Sequence, residues 1–380
     1  MRKILIVMGR YLPGYKDGGP VRSIKNLVDR LGKEYEFHIL TVDRDHGDTE
    51  PYTGILQDDW NEVGDARVRY VQPGGFTSEV VKQCADWADL VYVCGCFNDY
   101  ARTVMALKKR NQIQVPVIIA SMGLFSPGAF RIKYPKKKAY VTTLRLLGYL
   151  KNVEWSATSE EEATDIRRQV GKDAICHLAE DLPRKPKEIH REESSKAGEC
   201  KVVFLSRISR KKNLTYAADI LKKWGESYPE QRIIFDVYGN KEDPVYVKEC
   251  EDKLASLPGN VEYYYRGIAP AEEIIETFAK YDAFLFPTLG ENYGHVIFEA
   301  MAGGCVPIVS DQTPWTEDKM GYCGRMIQLD STIDKWVKVL EELVKLDSNE
   351  KNTMANKAIV FAKAYKADED SYRRILDKAE

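Results

Sequence analysis

Phe286–Trp315 reads FPTLGENYGHVIFEAMAGGCVPIVSDQTPW, and the fold turns on this stretch. An apolar run, Ala283–Phe286, has the length of a buried strand and stops at Pro287, which cannot donate to a strand ladder. A polar loop containing Gly290 and Gly294 follows, then a short helix from about His295 to Ala302. The pair Gly303-Gly304 ends that helix, and a second apolar strand starts at Val306. Glu291 in the loop and Glu299 on the helix stand eight residues apart. A helix N-terminus behind a glycine-containing loop offers free N–H groups and positive dipole to a phosphate or a sugar hydroxyl. In that setting Glu291 can accept from a sugar hydroxyl at the mouth, and Glu299 can hold a ribose as acidic residues do in nucleotide-binding α/β folds. Two solvated glutamates on an ordinary strand–loop–helix fit the same spacing.

Outward from this block, short apolar runs alternate with longer amphipathic ones along the whole chain. Strands are predicted at Ile4–Met8, Phe37–Val42, Val68–Val71, Leu90–Cys94, Val117–Ala120 and Val153–Ala157. After a break they resume at Val202–Leu205, Ile233–Val237, Val261–Tyr265, Ala283–Phe286, Val306–Val309 and Met326–Leu329. Helical patterns lie between them, among others Val21–Leu31, Tyr100–Arg110, Glu160–Gln169, Thr215–Trp224, Val245–Leu257 and Ala271–Ala279. Such alternation predicts an α/β protein with parallel, doubly wound, Rossmann-like sheets. The break, LPRKPKEIHREESSKAGE from Leu182 to Glu199, is charged and nearly free of apolar residues, which is linker composition. The expected organisation is therefore a first domain over 1–182, a linker over 183–199 and a second domain over 200–361. A ligand is expected in a cleft between the domains. The segment from about Asn352 onward is helical by pattern.

Composition narrows the function. The chain has 380 residues and a net charge of −2, so no basic field argues for nucleic acid. Met1–Lys3 leads into an apolar run, Ile4–Met8, too short for a secretory leader, and no run reaches the roughly 20 apolar residues of a membrane helix. Eight cysteines lack zinc spacing, and Cys94 and Cys96 read as buried thiols. A cytoplasmic setting follows, with no metal site expected.

Four further segments bear on a site. Gly9–Pro20, GRYLPGYKDGGP, lacks the G-x-G-x-x-G pattern of a dinucleotide oxidoreductase, yet Gly18 and Gly19 before a helix allow close backbone approach to a ligand. Between Arg131 and Lys151 stand seven basic residues and no acidic one, interleaved with Leu144, Leu146, Leu147 and Leu150. This reads either as a solvated basic helix or as a contact with a membrane surface or lipid pyrophosphate. After Val202–Leu205 comes SRISRKKN, where cations at a strand's carboxyl end can converge on a diphosphate; Arg210 and Lys211 read as a plain basic turn. Tyr238-Gly239-Asn240 closes the next strand in a turn. His295, beside Gly294, can reach a donor sugar or simply cap its loop.

Glu291-Asn292-Tyr293-Gly294-His295 through Glu299-Ala300-Met301 resembles the E-x7-E signature of the retaining, GT-B-type glycosyltransferases of family 4. Ser310–Trp315, SDQTPW, and Ser121-Met122-Gly123-Leu124 are similar to segments of a capsule- and polysaccharide-building bacterial branch. Arg207 and Lys212 match the family's R-x4-K spacing. The resemblance implies a GT-B fold whose C-terminal helix, about 362–380, crosses back onto the first domain. It also implies transfer of a sugar from a nucleotide-diphosphate donor, UDP-sugar before GDP-sugar, to a glycan or lipid-linked oligosaccharide, with retention and without a metal or other cofactor. Arg207 and Lys212 would hold the diphosphate, Glu291 orient the sugar and Glu299 hold the ribose. Gly18 and Gly19 would line the donor phosphates, and Arg266-Gly267 would stand where backbone meets the base. Ser121, Gly239, Asn292, Tyr293, Gly294 and His295 complete the implied substrate-binding set. Ser121 stands where many members carry a histidine. A same-fold nucleotide-sugar 2-epimerase and a binding-only member remain alternatives, as does a location at the inner face of the membrane through 131–151.

Overall fold

The computed structural model describes residues 1–131 and 133–378, so Ile132 of the basic stretch and the end of the segment 362–380 lie outside the described residues. The chain forms two compact units, Met1–Pro183 with Ala367–Glu380, and Arg184–Lys366.

Among the described residues the first unit holds an eight-stranded sheet. Its strands are β1 (Arg2–Val7), β2 (Tyr35–Val42), β3 (Trp60–Val63), β4 (Ala66–Val71), β5 (Leu90–Cys94), β6 (Val117–Ala120), β7 (Glu154–Ala157) and β8 (Cys176–Leu178). They lie in the order β3-β4-β2-β1-β5-β6-β7-β8, parallel except for the antiparallel β3–β4 pair. The crossovers are α1 (Gly19–Leu31), α2 (Ser78–Ala85), α3 (Asp99–Lys109), α4 (Pro127–Arg131), α5 (Tyr134–Leu146) and α6 (Glu160–Val170). Both faces of β1 are buried, which is why it reads as an unbroken apolar run. Ile4 and Ile6 pack with Ile24, Leu27 and Val28 of α1, while Leu5 and Val7 face the core on the other side with Val104 of α3. Strands β3 and β8 had no counterpart among the predicted ones. Each has only three or four residues, one exposed and the others half-buried, and so carries no apolar run to detect.

The second unit is a six-stranded, wholly parallel sheet among the described residues. Its strands are β9 (Glu199–Leu205), β10 (Arg232–Tyr238), β11 (Val261–Gly267), β12 (Ala283–Phe286), β13 (Val306–Ser310) and β14 (Arg325–Ile327). The order β11-β10-β9-β12-β13-β14 is the doubly wound 3-2-1-4-5-6 arrangement. Helices α7 (Leu214–Ser227), α8 (Pro244–Ala255), α9 (Ile274–Phe278), α10 (His295–Ala302), α11 (Ile333–Lys345) and α12 (Ser348–Ala364) cover it. Trp336, Val337, Leu340 and Val344 make the buried stripe of α11 at helical spacing. Trp336 and Trp224 of α7 are both fully buried in this core, where truncation of a tryptophan to alanine costs about 3–5 kcal/mol.

Residues 184–198 contain no regular element, yet they belong to the second unit rather than forming a free tether. Arg191 donates to the carbonyls of Tyr281 at 3.1 Å and Gly304 at 3.3 Å and to Ser194 at 2.8 Å. The buried Lys351 ammonium donates to the carbonyls of Ser195, Lys196 and Glu199 at 3.2, 3.0 and 2.5 Å. Polar composition reads as a linker because side-chain-to-backbone bonds of this kind leave no apolar pattern.

The tail is two helices. After α12 the chain re-enters the first unit as α13 (Glu369–Leu376), capped by Asp368, whose carboxylate accepts from the Ser371 N–H at 3.1 Å. Tyr372, Ile375 and Leu376 enter the core beside α1, and Arg30 meets Glu369 at 2.8 Å. Among the described residues no helix is long and apolar enough to cross a membrane.

Candidate active site

In the second unit the strand order reverses between β9 and β12, whose following connections leave in opposite directions and open a crevice at the carboxyl ends. Two loops meet there, 206–213 after β9 and 287–294 after β12. They are bolted together by backbone. The Lys211 carbonyl accepts from the Leu289 N–H at 2.8 Å, and the Asn213 side-chain amide donates to the Pro287 carbonyl at 2.9 Å. Asn213 itself takes the left-handed conformation, φ 62°, that this junction into α7 requires.

The clamp sets the central contact. Lys212 Nζ meets Glu291 Oε1 at 2.5 Å, and each side chain is only 11% exposed. The Thr288 hydroxyl lies 3.0 Å from the same carboxylate oxygen, and the Lys212 ammonium sits 5.5 Å over the Phe286 ring. Arg207 stands nearer the rim, where its guanidinium meets Glu242 at 2.9 Å and stays 44% exposed. Arg210 turns away onto Glu249 and over the Tyr246 ring.

The neighbouring strand ends close the floor. A Cβ on Gly239, φ 156°, would stand 1.8 Å from the Ser206 carbonyl oxygen, so only glycine fits there. The Gly239 N–H donates to the Gly267 carbonyl at 2.8 Å, which ties the ends of β10 and β11 together. The Arg266 guanidinium reaches back to the buried Asp236 at 2.8 Å, and Tyr281 donates to the same carboxylate. Its side chain thus secures the sheet, and what β11 offers outward is the backbone at Arg266-Gly267. Gly294, φ 81°, starts α10 in the left-handed region.

Every residue of α10 is buried. Glu299, expected at a ribose, has no exposed surface, and His295 is likewise inside. Tyr293 packs edge-on against Trp315, whose indole N–H donates to the Tyr293 carbonyl at 2.7 Å, while Asn292 stays half-buried on the loop. Lys212 and Glu291 are thus brought together, with Arg207 beside them, Asn292 flanking and Tyr293, His295 and Glu299 behind.

Residues 186–360 match the family described as Glycosyl transferases group 1. The chain carries a group 1 glycosyltransferase domain. It is a transferase enzyme. Solved structures agree on the architecture. Alr3699/HepE of Anabaena, in complex with UDP and glucose, is 15% identical over 99% of both chains with a TM-score of 0.67. The trehalose-6-phosphate synthase OtsA is 10% identical over 100% of both chains with a TM-score of 0.70. WaaG, a glycosyltransferase involved in lipopolysaccharide biosynthesis, is 13% identical over 98% of both chains with a TM-score of 0.59. At such identities the likeness concerns fold, and the fold is GT-B, built of two Rossmann-like α/β units. No curated protein matches the chain.

The transferase's first unit holds the remaining predicted residues. Gly18, φ 65°, caps α1, and a Cβ on Gly19 would meet open space, so the backbone there is bare. Ser121 is different. It is wholly buried, and its hydroxyl donates to the buried carboxylate of Glu162. Glu162 also accepts from the Gly123 N–H at 2.7 Å and from the Thr158 N–H and hydroxyl, both at 2.8 Å. Ser121, expected in the substrate-binding set, thus holds a loop inside the first unit through Glu162. Glu162 went unnoticed because it sits in an acidic run, Glu160–Glu162, that looks like a charged first helical turn. The signal that could have found it is Ser159 three residues earlier, whose hydroxyl accepts from the Glu162 N–H at 3.2 Å as a helix cap does.

Cys94 and Cys96 are buried thiols, and burial pushes both up in pKa. Among the described residues no group of three His, Cys, Asp or Glu side chains converges to hold a metal ion. In the basic stretch α5 leaves Leu146 at 78% and Leu147 at 53% exposure. Lys133, Lys136, Lys138 and Arg145 are exposed as well.

Proposed function

We propose that the transferase moves a sugar from a nucleotide-diphosphate donor to a hydroxyl of a glycan or lipid-linked oligosaccharide, with retention at the anomeric carbon. The observation that carries this reading is the Lys212–Glu291 pair, with Arg207 beside it, at the carboxyl ends of β9 and β12. Cations there neutralise the charge that grows on a departing diphosphate, the work a divalent ion does elsewhere, so the reaction runs without one. The acceptor oxygen attacks the anomeric carbon while the bond from that carbon to the phosphate oxygen breaks. Its electron pair leaves with the diphosphate, which takes the acceptor's proton on the same face. Arg207 and Lys212 hold the diphosphate. Glu291 fixes the Lys212 ammonium and presents its second oxygen to a sugar hydroxyl, and the backbone at Arg266-Gly267 meets the base. UDP bound to the Anabaena protein favours a UDP-sugar. The E-x7-E spacing supports family 4 and its polysaccharide-building branch as the place of this chain.

The acceptor side follows from α5. Exposed Leu146 and Leu147 beside exposed lysines and Arg145 suit an anionic lipid surface, apolar residues entering and cations paired with headgroups. Co-sedimentation with phosphatidylglycerol vesicles, and none with phosphatidylcholine alone, is the expected result. Equal recovery with both would remove this contact.

The donor reading is tested by a thermal-shift screen against UDP, GDP, ADP and CMP, followed by transfer assays with the sugar form of whichever binds. A ligand at one hundred times its Kd stabilises the folded chain by about 2.7 kcal/mol. One nucleotide should raise the melting temperature, Arg207→Ala should abolish that shift, and transfer should fall by orders of magnitude without unfolding. Full activity in Arg207→Ala would sink the assignment. Conversion of the nucleotide-sugar without any acceptor would move the chain to the epimerases.

A further inference from the structure

The charges of the crevice do not cancel. Lys212 is neutralised by Glu291 and Arg207 by Glu242. Arg210 is directed to Glu249, away from the crevice. Lys211, dismissed from sequence as part of a basic turn, has neither an ion pair nor a side-chain hydrogen bond among the described residues. Its backbone is nonetheless among the most firmly held in the site. The carbonyl accepts from the Leu289 N–H at 2.8 Å and has the Thr288 hydroxyl within 3.1 Å. Its stem lies over Gly290, where a Cβ would stand in ordinary van der Waals contact, 3.5 Å from Lys211 Cε. The residue as a whole is exposed, and protein atoms around the ammonium lower its pKa by partial desolvation. Glu291 opposes that shift, and the like charges of Lys212 and Arg207 add to it. A cation placed this way is relieved by an arriving anion.

We propose that Lys211 is a further diphosphate-contacting residue of the donor site, supplying the unbalanced positive charge that the paired Lys212 and Arg207 do not. The proposal rests on the donor reading above and adds a residue to it. A charge-assisted hydrogen bond of this kind corresponds to about 10- to 100-fold in affinity. Lysine is a compact point charge whose protonation responds to its surroundings, whereas arginine stays charged throughout.

The experiment is isothermal titration of UDP and GDP, each beside its nucleoside, into the native chain, Lys211→Ala and Lys211→Arg. The expected result is one diphosphate bound by the native chain and bound about 10- to 100-fold more weakly by Lys211→Ala, with nucleoside affinity unchanged. Lys211→Arg should recover most of the loss. It should also hold its affinity at alkaline pH, where the native chain weakens as Lys211 deprotonates. Because the head is unpaired, Lys211→Ala should melt with the native chain. Equal diphosphate affinity in native and Lys211→Ala proteins overturns the proposal and leaves the donor reading standing. Failure of the native chain to bind either diphosphate overturns the donor reading and the proposal with it.

Discussion

Where β1 and β5 part in the first unit, the loop after β1 carries glycines and charges that cancel locally. Arg10 meets Asp17 at 3.2 Å, Lys16 meets Asp48, and Asp45 accepts the Tyr15 N–H at 2.9 Å. Where β9 and β12 part in the second unit, the loops carry four cations, of which Arg207, Arg210 and Lys212 each meet a carboxylate and Lys211 is left over. The two strand orders reverse in the same way, yet one reversal point is finished in backbone and the other in charge. A doubly wound sheet dictates where a ligand goes, and the loops alone decide which chemistry it meets. Buried structure in the first unit does by hydrogen bonding to Glu162 what the Lys212–Glu291 pair does by charge in the second, which is to fix one loop against another.

That contrast breaks most visibly at the buried pair. Lys212→Ala should cut the transfer rate by about 100- to 1,000-fold, the scale for removing one preorganised charge from a developing anion. It should also destabilise the second unit by about 3–5 kcal/mol, because Glu291 is left buried without its partner. Glu291→Ala should destabilise by a similar amount, for the mirror reason. The double variant should be less destabilised than the sum of the two singles, since neither charge is then stranded. Denaturant melts of the four proteins check this. Additive losses would mean that the 2.5 Å contact contributes little and that the loops are held by backbone alone.

The legibility of the two units follows the same line. In the second unit the block around Glu291 read correctly to its bounds. Ala283–Phe286, His295–Ala302 and a strand start at Val306 all stand where apolar runs and glycines put them. Arg207, Lys212 and Glu291 were singled out by their spacing after apolar strands, and the structure pairs Lys212 with Glu291 and Arg207 with Glu242. Lys211 was not singled out, since nothing in SRISRKKN separates a cation that finds a carboxylate from one that does not. Pairing is tertiary. Glu299 and His295 were placed on the right helix, but the sequence could not show that Trp315 and Tyr293 pack over it. The stretch 183–199 looked free because the groups that hold it, Arg191 among them, work through carbonyl oxygens that every residue has. In the first unit Ser121 drew notice for standing in a familiar segment, while its actual partner, 41 residues on, had no pattern to betray it.

Glu162 and Ser121 sharpen the comparison at lower amplitude. If the first unit's loop is held by hydrogen bonds to one buried carboxylate, the cost of each substitution is set by how many donors it strands. Glu162→Gln keeps the shape but turns one oxygen into an N–H2 group facing backbone and hydroxyl donors, leaving at least one of them unsatisfied. At about 1–3 kcal/mol for each buried group left unpaired, the first unit should lose roughly 2–4 kcal/mol. For a unit of this size that is a fall of about 5–10 °C in Tm. Ser121→Ala removes only one donor, and the carboxylate keeps three, so about 1 kcal/mol and a few degrees are expected. Nucleotide affinity in the second unit should be untouched by both. The reverse pattern, Ser121→Ala melting like the native chain but transferring sugar tenfold more slowly, would return Ser121 to the reacting groups. It would also show that the first unit finishes this loop for contact with a substrate.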